Sequence, residues 1–370
     1  DIFMKNKPQE YPRYHKMSEN KKLPIGSVIG ILGGGQLGRL LSISASQLGF
    51  KTHIFDPDPK APAKQVTNLS STFDYKDKQA LENFANSVDV ITFEFENIPV
   101  ETIQICAELT GVFPNVNALS ICQDRTNEKK FLNEMSIPSS PFVPAKSFQE
   151  ILQSVNVLEP PLILKSSRFG YDGKGQKIIY SKEEIEDAAS EFNDIPVILE
   201  KLIDFNLEIS IIICRDMLGK IAVFDPAENL HENGILIESK VPASIPFSLA
   251  SDAILIASKI VNALEYVGVM GIEFFVTKEN KLLVNELAPR VHNSGHWTQS
   301  GCLINQFEQH IRAISGWPIG NGKRHSNVLM QNVLGPNVKL LDRNSNSSTN
   351  IYGKDDPKDG RKMGHKNYIK

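Results

Sequence analysis

An apolar run, Val28 to Leu32, breaks into Gly33, Gly34 and Gly35 and passes at once into a helical pattern of Leu37, Leu40, Leu41, Ala45 and Leu48. A strand feeding directly into a helix points to a parallel sheet, because the chain must cross back before the next strand can pair. The alternation continues through "KTHIFD", "VDVITFEFE", a helix from about Pro99 to Leu109 and a short strand at "GVFP". Four parallel strands with intervening helices predict a doubly wound α/β domain over residues 26–122. Gly33, Gly35 and Gly38 also spell G-x-G-x-x-G. Such glycines let backbone N–H groups and a helix N-terminus approach an anion, and Asp56 stands where the ribose of a dinucleotide would want an acid. The spacing alone leaves a dinucleotide, a mononucleotide, a phosphosugar and a plain tight turn open.

With 370 residues, 41% hydrophobic and 22% charged, the chain can form two or three domains with real cores. A formal charge of −3 gives no reason to expect a nucleic-acid or membrane surface as partner. Cys106, Cys122, Cys214 and Cys302 form no C-x-x-C pair, so neither a disulfide framework nor a zinc site is indicated, and a reducing cytoplasm fits. No apolar run is long enough to span a bilayer. Residues 1–25 are polar and Lys-rich without the apolar core of a signal peptide and read as a flexible extension.

Beyond the first domain a helix begins at "DRTNEKKFLNEM" and stops at the prolines of "SIPSSPF". From Pro161 the texture changes to antiparallel pairs: "PLILKSS" with "GQKIIY", then "PVILEKLI", "LEISIIICR" and "KIAVFD". An amphipathic helix from Phe247 to Tyr266 follows, then a hairpin of "VGVMGIEFFVT" and "KLLVNELAP", then a helix near Leu303 to Ser315. A β-rich region after a parallel domain is not how a dehydrogenase normally continues.

Three segments carry chemistry. "KSSRFGYDGKGQ" is a glycine loop between two strands that can fold over polyphosphate as a lid, with Lys165 on the strand leading in. In the following hairpin, a turn centred between Glu279 and Asn280 places Glu273 opposite Glu286. Facing carboxylates repel unless a cation lies between them, and magnesium is the usual one with nucleotides. By strict alternation Asn285 faces the other way unless the strand bulges or ends there. "NELAPRVHNSGHWT" then packs Arg290, His292, Asn293 and His296 together, with Arg290 suited to a planar carboxylate or bicarbonate.

"GGGQLGR", "FEFENIP", "KSSRFGYDGKGQ", "NLHENGIL", "VGVMGIEFFV" and "NELAPRVHNSGHWT" resemble, in order, the N5-carboxyaminoimidazole ribonucleotide synthetase family of ATP-grasp enzymes, from about Ile25 to His365. The resemblance implies an α/β ATP-grasp architecture: the doubly wound pre-ATP-grasp domain, two α+β ATP-grasp subdomains over residues 123–202 and 203–320, and a β-rich segment over residues 321–370. It implies a carbon–nitrogen ligase of purine biosynthesis in which ATP phosphorylates bicarbonate and the carboxyl group passes to 5-aminoimidazole ribonucleotide. Arg125 and Lys165 are then nucleotide-phosphate contacts, and Gly170, Tyr171, Asp172, Gly173, Lys174, Gly175 and Gln176 the lid. Glu200, Lys201, Leu202 and Ile203 hold adenine, with Glu208 on the ribose and His231 nearby. Glu273 and Glu286 are magnesium ligands, with Glu286 and Asn285 also on ATP, and Arg290, His292 and Asn293 hold bicarbonate or carboxyphosphate. Gln36, Leu37, Glu94, Lys354, Arg361 and Lys362 face the ribonucleotide. A homodimer is the assembly this family implies. The rival readings are another ATP-grasp ligase, such as a formate-dependent glycinamide ribonucleotide transformylase, and a nicotinamide dehydrogenase.

Overall fold

The computed structural model describes residues 22–170, 175–192, 195–340 and 346–370. Its strands form three sheets. The first is parallel, in the order Leu69–Ser71, Lys51–Phe55, Val28–Leu32, Val90–Phe93. The fourth strand expected at "GVFP" contributes only a single bridge, Ile91 to Val112, and Leu69–Ser71 takes the other edge instead. Leu69–Ser71 is short and largely exposed, so it lacks the apolar pattern that would announce it.

The second sheet is antiparallel, in the order Phe142–Ala145, Val197–Lys201, Leu162–Ser166, Gln176–Ile179. Helices Phe148–Ser154 and Ile185–Ser190 close a small separate core over it. Leu202 and Ile203, half-buried, connect it to the third sheet.

The third sheet has nine strands. One of its inner strands, Phe205–Arg215, is buried and almost wholly apolar from Ile209 to Cys214, because both faces are covered there. Ile209, Ile211 and Ile213 pack under the long helix Phe247–Ala263, while Ile212 and Cys214 join the opposite core with Val269, Phe307 and Ile311. That opposite core also holds Ile29, Ile31, Leu37, Leu40 and Leu41, so the first domain is welded to the large sheet. Buried His310 bridges the seam, one ring nitrogen 2.8 Å from the Thr92 hydroxyl and the other accepting from the Val269 N–H at 3.0 Å. The strands beyond residue 321 extend the same sheet: Ile235–Val241 pairs with Val328–Leu334, which pairs with Lys362–Ile369. Among the described residues no helix is long and apolar enough to cross a membrane.

Candidate active site

The first glycine loop is already filled. Glu94, buried just past the strand Val90–Phe93, accepts from the Gly35 N–H at 2.5 Å and from the Gly38 N–H at 2.7 Å. A Cβ at Gly35 would lie 2.5 Å from the Glu94 carboxylate, and one at Gly38 would lie 2.7 Å from the Gly33 carbonyl. Gly35 is therefore required by the protein's own acid, and Gly38 by the close approach of the Gly33 backbone. Asp56 takes the Gly34 N–H at 2.7 Å and caps its own turn through the Asp58 N–H at 2.7 Å. Of the N–H groups expected to face a ligand phosphate, those of Gly34, Gly35 and Gly38 are taken by the chain's own Asp56 and Glu94.

What the loop does present is Gln36. The Lys354 ammonium donates to its side-chain oxygen at 2.5 Å and to the Lys362 carbonyl at 2.8 Å. Three of the expected acceptor-site residues thus meet above Glu94. Leu37 turns its side chain into the core, and Arg361, exposed, donates to the Asp356 carbonyl at 2.8 Å. The strand carrying Lys362 is pinned by His365, whose ring nitrogens lie 2.7 Å from the Tyr352 hydroxyl and 2.7 Å from the Gln299 side-chain oxygen. His296, fully buried, packs its ring 4.5 Å from that of His365 and serves the core rather than the site.

The hairpin Gly268–Thr277 and Leu282–Ala288 sets Glu273 opposite Glu286. The route differs from the one expected. Val276 pairs with Leu282 and Phe274 with Val284, so the turn is centred on Glu279; a bulge at Asn285 then restores Glu273 to Glu286. Burial and the facing Glu286 push the Glu273 carboxyl up to about 7. The ring Nε2 of His292 lies 3.6 Å from Glu273. Its Nδ1 lies 2.8 Å from the Ser294 hydroxyl, which in turn accepts from Ser210 at 2.7 Å. Burial and neighbouring Arg290 hold this imidazole well below its ordinary pKa, so it is neutral. The Ser294 backbone N–H also leans on Nδ1 at 3.4 Å, which assigns the proton to Nε2, on the Glu273 side.

Arg290 grips Glu96 through two nitrogens, one contact at 3.1 Å. Against its own burial, Arg290 holds the Glu96 carboxyl below the usual range. Glu96 was not among the expected site residues; its signal is the period-2 acid pair of "FEFE", ending a parallel strand where such folds place ligands. Asn293 is locked in a reciprocal amide pair with Asn332, at 3.0 and 2.8 Å.

At the other end, Lys165 and Lys129 approach the two oxygens of buried Glu200 at 3.1 and 3.6 Å. Despite burial, Lys165, Lys129 and Arg125 draw the Glu200 carboxyl down to about 2. Its side chain is therefore committed to the lysines, while the N–H groups of Lys201 and Leu202 donate to the carbonyls of Pro141 at 2.8 Å and Pro161 at 3.1 Å. Lys201 points back to the carbonyls of Glu159 and Pro160 at 2.7 and 3.2 Å. Arg125 lies 3.5 Å from Glu286, and Glu208 lies 2.7 Å from His231. Of the expected lid, Gly170, Gly175 and Gln176 are described, and Tyr171, Asp172, Gly173 and Lys174 lie outside the described residues.

Fold and site define an ATP-grasp enzyme. The ATP-grasp domain model matches residues 130–307, the ribonucleotide synthetase preATP-grasp domain residues 27–123, and the phosphoribosylaminoimidazole carboxylase C-terminal domain residues 328–370. The chain is 45% identical over 357 residues to the N5-carboxyaminoimidazole ribonucleotide synthase of Brucella melitensis, covering 95% of this chain and 99% of that one. It superposes on an ADP complex of an N5-carboxyaminoimidazole ribonucleotide synthetase with a TM-score of 0.91 at 36% identity, covering 95% and 94% of the two chains. An Aspergillus clavatus N5-carboxyaminoimidazole synthase in complex with ADP and 5-aminoimidazole ribonucleotide gives 0.87 at 29% identity, covering 94% of each. The chain belongs to the N5-carboxyaminoimidazole ribonucleotide synthase family, carbon–nitrogen ligases of purine biosynthesis. The nicotinamide reading falls with this and with the filled glycine loop.

Proposed function

We propose that this chain uses ATP to convert bicarbonate to carboxyphosphate and passes the carboxyl group to the exocyclic amine of 5-aminoimidazole ribonucleotide, releasing ADP and phosphate. One observation carries the assignment of roles: a half-buried pair of facing carboxylates, Glu273 and Glu286, with phosphate-type cations on one side and a histidine–arginine–lysine cluster on the other. Such a pair, one member pushed up to about 7 by burial and repulsion, fits a divalent cation. Among the described residues no group of three or more His, Cys, Asp or Glu forms a ready-made cage. This suits magnesium, which takes one or two carboxylates and completes its shell with phosphate oxygens and water. Glu273 and Glu286 would hold it, and it would neutralise charge on the transferring phosphoryl group.

Lys165 and Arg125 bind the nucleotide phosphates, with residues 170–176 closing over them. Glu200, Lys201, Leu202 and Ile203 form the strip that holds adenine, with Glu208 on the ribose and His231 beside it. Arg290, oriented by Glu96, offers paired donors to bicarbonate and then carboxyphosphate. His292, neutral, donates from Nε2 without adding charge. Gln36, Lys354 and Lys362 receive the ribonucleotide, while Arg361 contributes at the rim. The four cysteines are buried and unpaired, which suits a cytoplasmic enzyme, and the assembly is a homodimer. The test is ADP release with each acceptor. Full rate requires bicarbonate and 5-aminoimidazole ribonucleotide together; faster turnover with formate and glycinamide ribonucleotide would overturn the reading.

A further inference from the structure

The Asn285 bulge decides whether the acidic pair exists. Continued without it, the register of Phe274 with Val284 would set Asn285 opposite Glu273 and turn Glu286 to the other face. Leu282–Ala288 is an edge strand of the large sheet, and its outer side carries only a single bridge, Val284 to Ser139, with the Val284 N–H donating to the Pro138 carbonyl at 2.8 Å, so the backbone groups around Asn285 and Leu287 have no strand to pair with. They are gripped instead by the helix Arg125–Glu134. The Lys129 ammonium donates to the carbonyls of Val284 at 3.2 Å and Asn285 at 3.1 Å. The Glu128 carboxylate accepts from the Leu287 N–H at 2.8 Å. Arg125, on the same helical face by its spacing of three and four residues, reaches the Glu286 side chain. Glu128 and Lys129 are each only 1% exposed.

We propose that Glu128 and Lys129 are positioning residues: they clamp the backbone on both sides of Glu286 and hold the bulge that makes it a metal ligand opposite Glu273. The inference rests on the metal-pair reading given under the proposed function. Lys129 also meets Glu200, so the same helix ties the nucleotide strip to the metal pair.

The experiment measures Mn2+ binding to the full chain with ADP by electron paramagnetic resonance, alongside hydrogen exchange of the Leu287 amide. Glu286→Gln is the reference, and its loss of Mn2+ binding establishes the pair as ligands. Against it, Glu128→Leu and Lys129→Met weaken Mn2+ binding about 10- to 100-fold, as loss of groups that orient a ligand does. Glu128→Gln, which keeps an oxygen for the Leu287 N–H, stays within about twofold of wild type. Leu287 exchange accelerates in Glu128→Leu and not in Glu128→Gln. A merely structural role would lower the thermal midpoint without moving Mn2+ affinity in the folded protein. Wild-type Mn2+ affinity in folded Lys129→Met and Glu128→Leu overturns the clamp. Wild-type Mn2+ binding by Glu286→Gln removes the metal pair itself, and the clamp with it.

Discussion

Glu94, buried, and Glu273, half-buried, both lie beside a glycine-bearing strand end or hairpin, yet the fold gives them different partners. Burial raises the Glu94 carboxyl as it raises that of Glu273, but the protein supplies Glu94 with partners: two backbone N–H groups of a helix N-terminus close on it, and Lys354 stands nearby. Glu273 faces a second acid, has the neutral His292 ring at 3.6 Å, and is only partly offset by the charges of His231 and Lys362, so its carboxyl stays raised. A charge the chain has already neutralised reports architecture, whereas one left uncompensated reports the ligand that will neutralise it. The contrast explains why the glycine fingerprint misleads here. It detects an anion site, and this chain supplies its own anion.

The comparison can be broken most sharply at the open pair. Glu286→Gln should reduce kcat for ADP formation on the order of 10²- to 10³-fold with little change in thermal midpoint. Near-normal turnover would end the argument that the pair needs a cation. The closed site predicts the reverse emphasis. Glu94→Leu leaves the Gly35 and Gly38 N–H groups buried without an acceptor and should destabilise the fold by about 2–3 kcal/mol in urea unfolding. An unchanged midpoint would mean that the loop does not depend on its internal anion.

A third buried group tests closure without charge. Burial pushes the His310 pKa down to about 3, from about 6.5 in an unfolded chain. Between these values the unfolded state binds the extra proton, so stability falls as pH drops below 6.5 and is fully present above it. At pH 5 this group should cost about 2 kcal/mol, because the unfolded chain takes up a proton that the buried ring, holding the Val269 N–H, does not. His310→Gln should flatten the acid limb of the stability curve by about one proton; an identical slope would remove His310 as its cause. The smallest effect belongs to the rim. Arg361→Ala should change the ribonucleotide KM by less than about threefold, because an exposed side chain pays desolvation to no one partner, and a tenfold rise would show the turn closing over substrate.

Local rules made several features legible. The strand–glycine–helix unit, the change to antiparallel texture at Pro161 and the pairing of Glu273 with Glu286 follow from short-range pattern, because side-chain period and turn length are local properties. The Glu273 pairing was legible for an incomplete reason: counting from the turn ignores the extra residue at Asn285, which cancels the offset of the true turn centre. Nor does pattern reveal the short edge strand Leu69–Ser71, whose residues are largely exposed.

The amino-acid sequence by itself determined the elements, the family and the identities of the groups that can do chemistry, since each is written in contiguous residues. Only the tertiary structure decided which charges are spent on the protein and which are left for substrate. Glu94 meets Gly35 across 59 positions, Arg290 meets Glu96 across 194, and Lys354 meets Gln36 across 318. Electrostatic compensation depends on distance in space and on burial, and neither is a property of neighbouring letters.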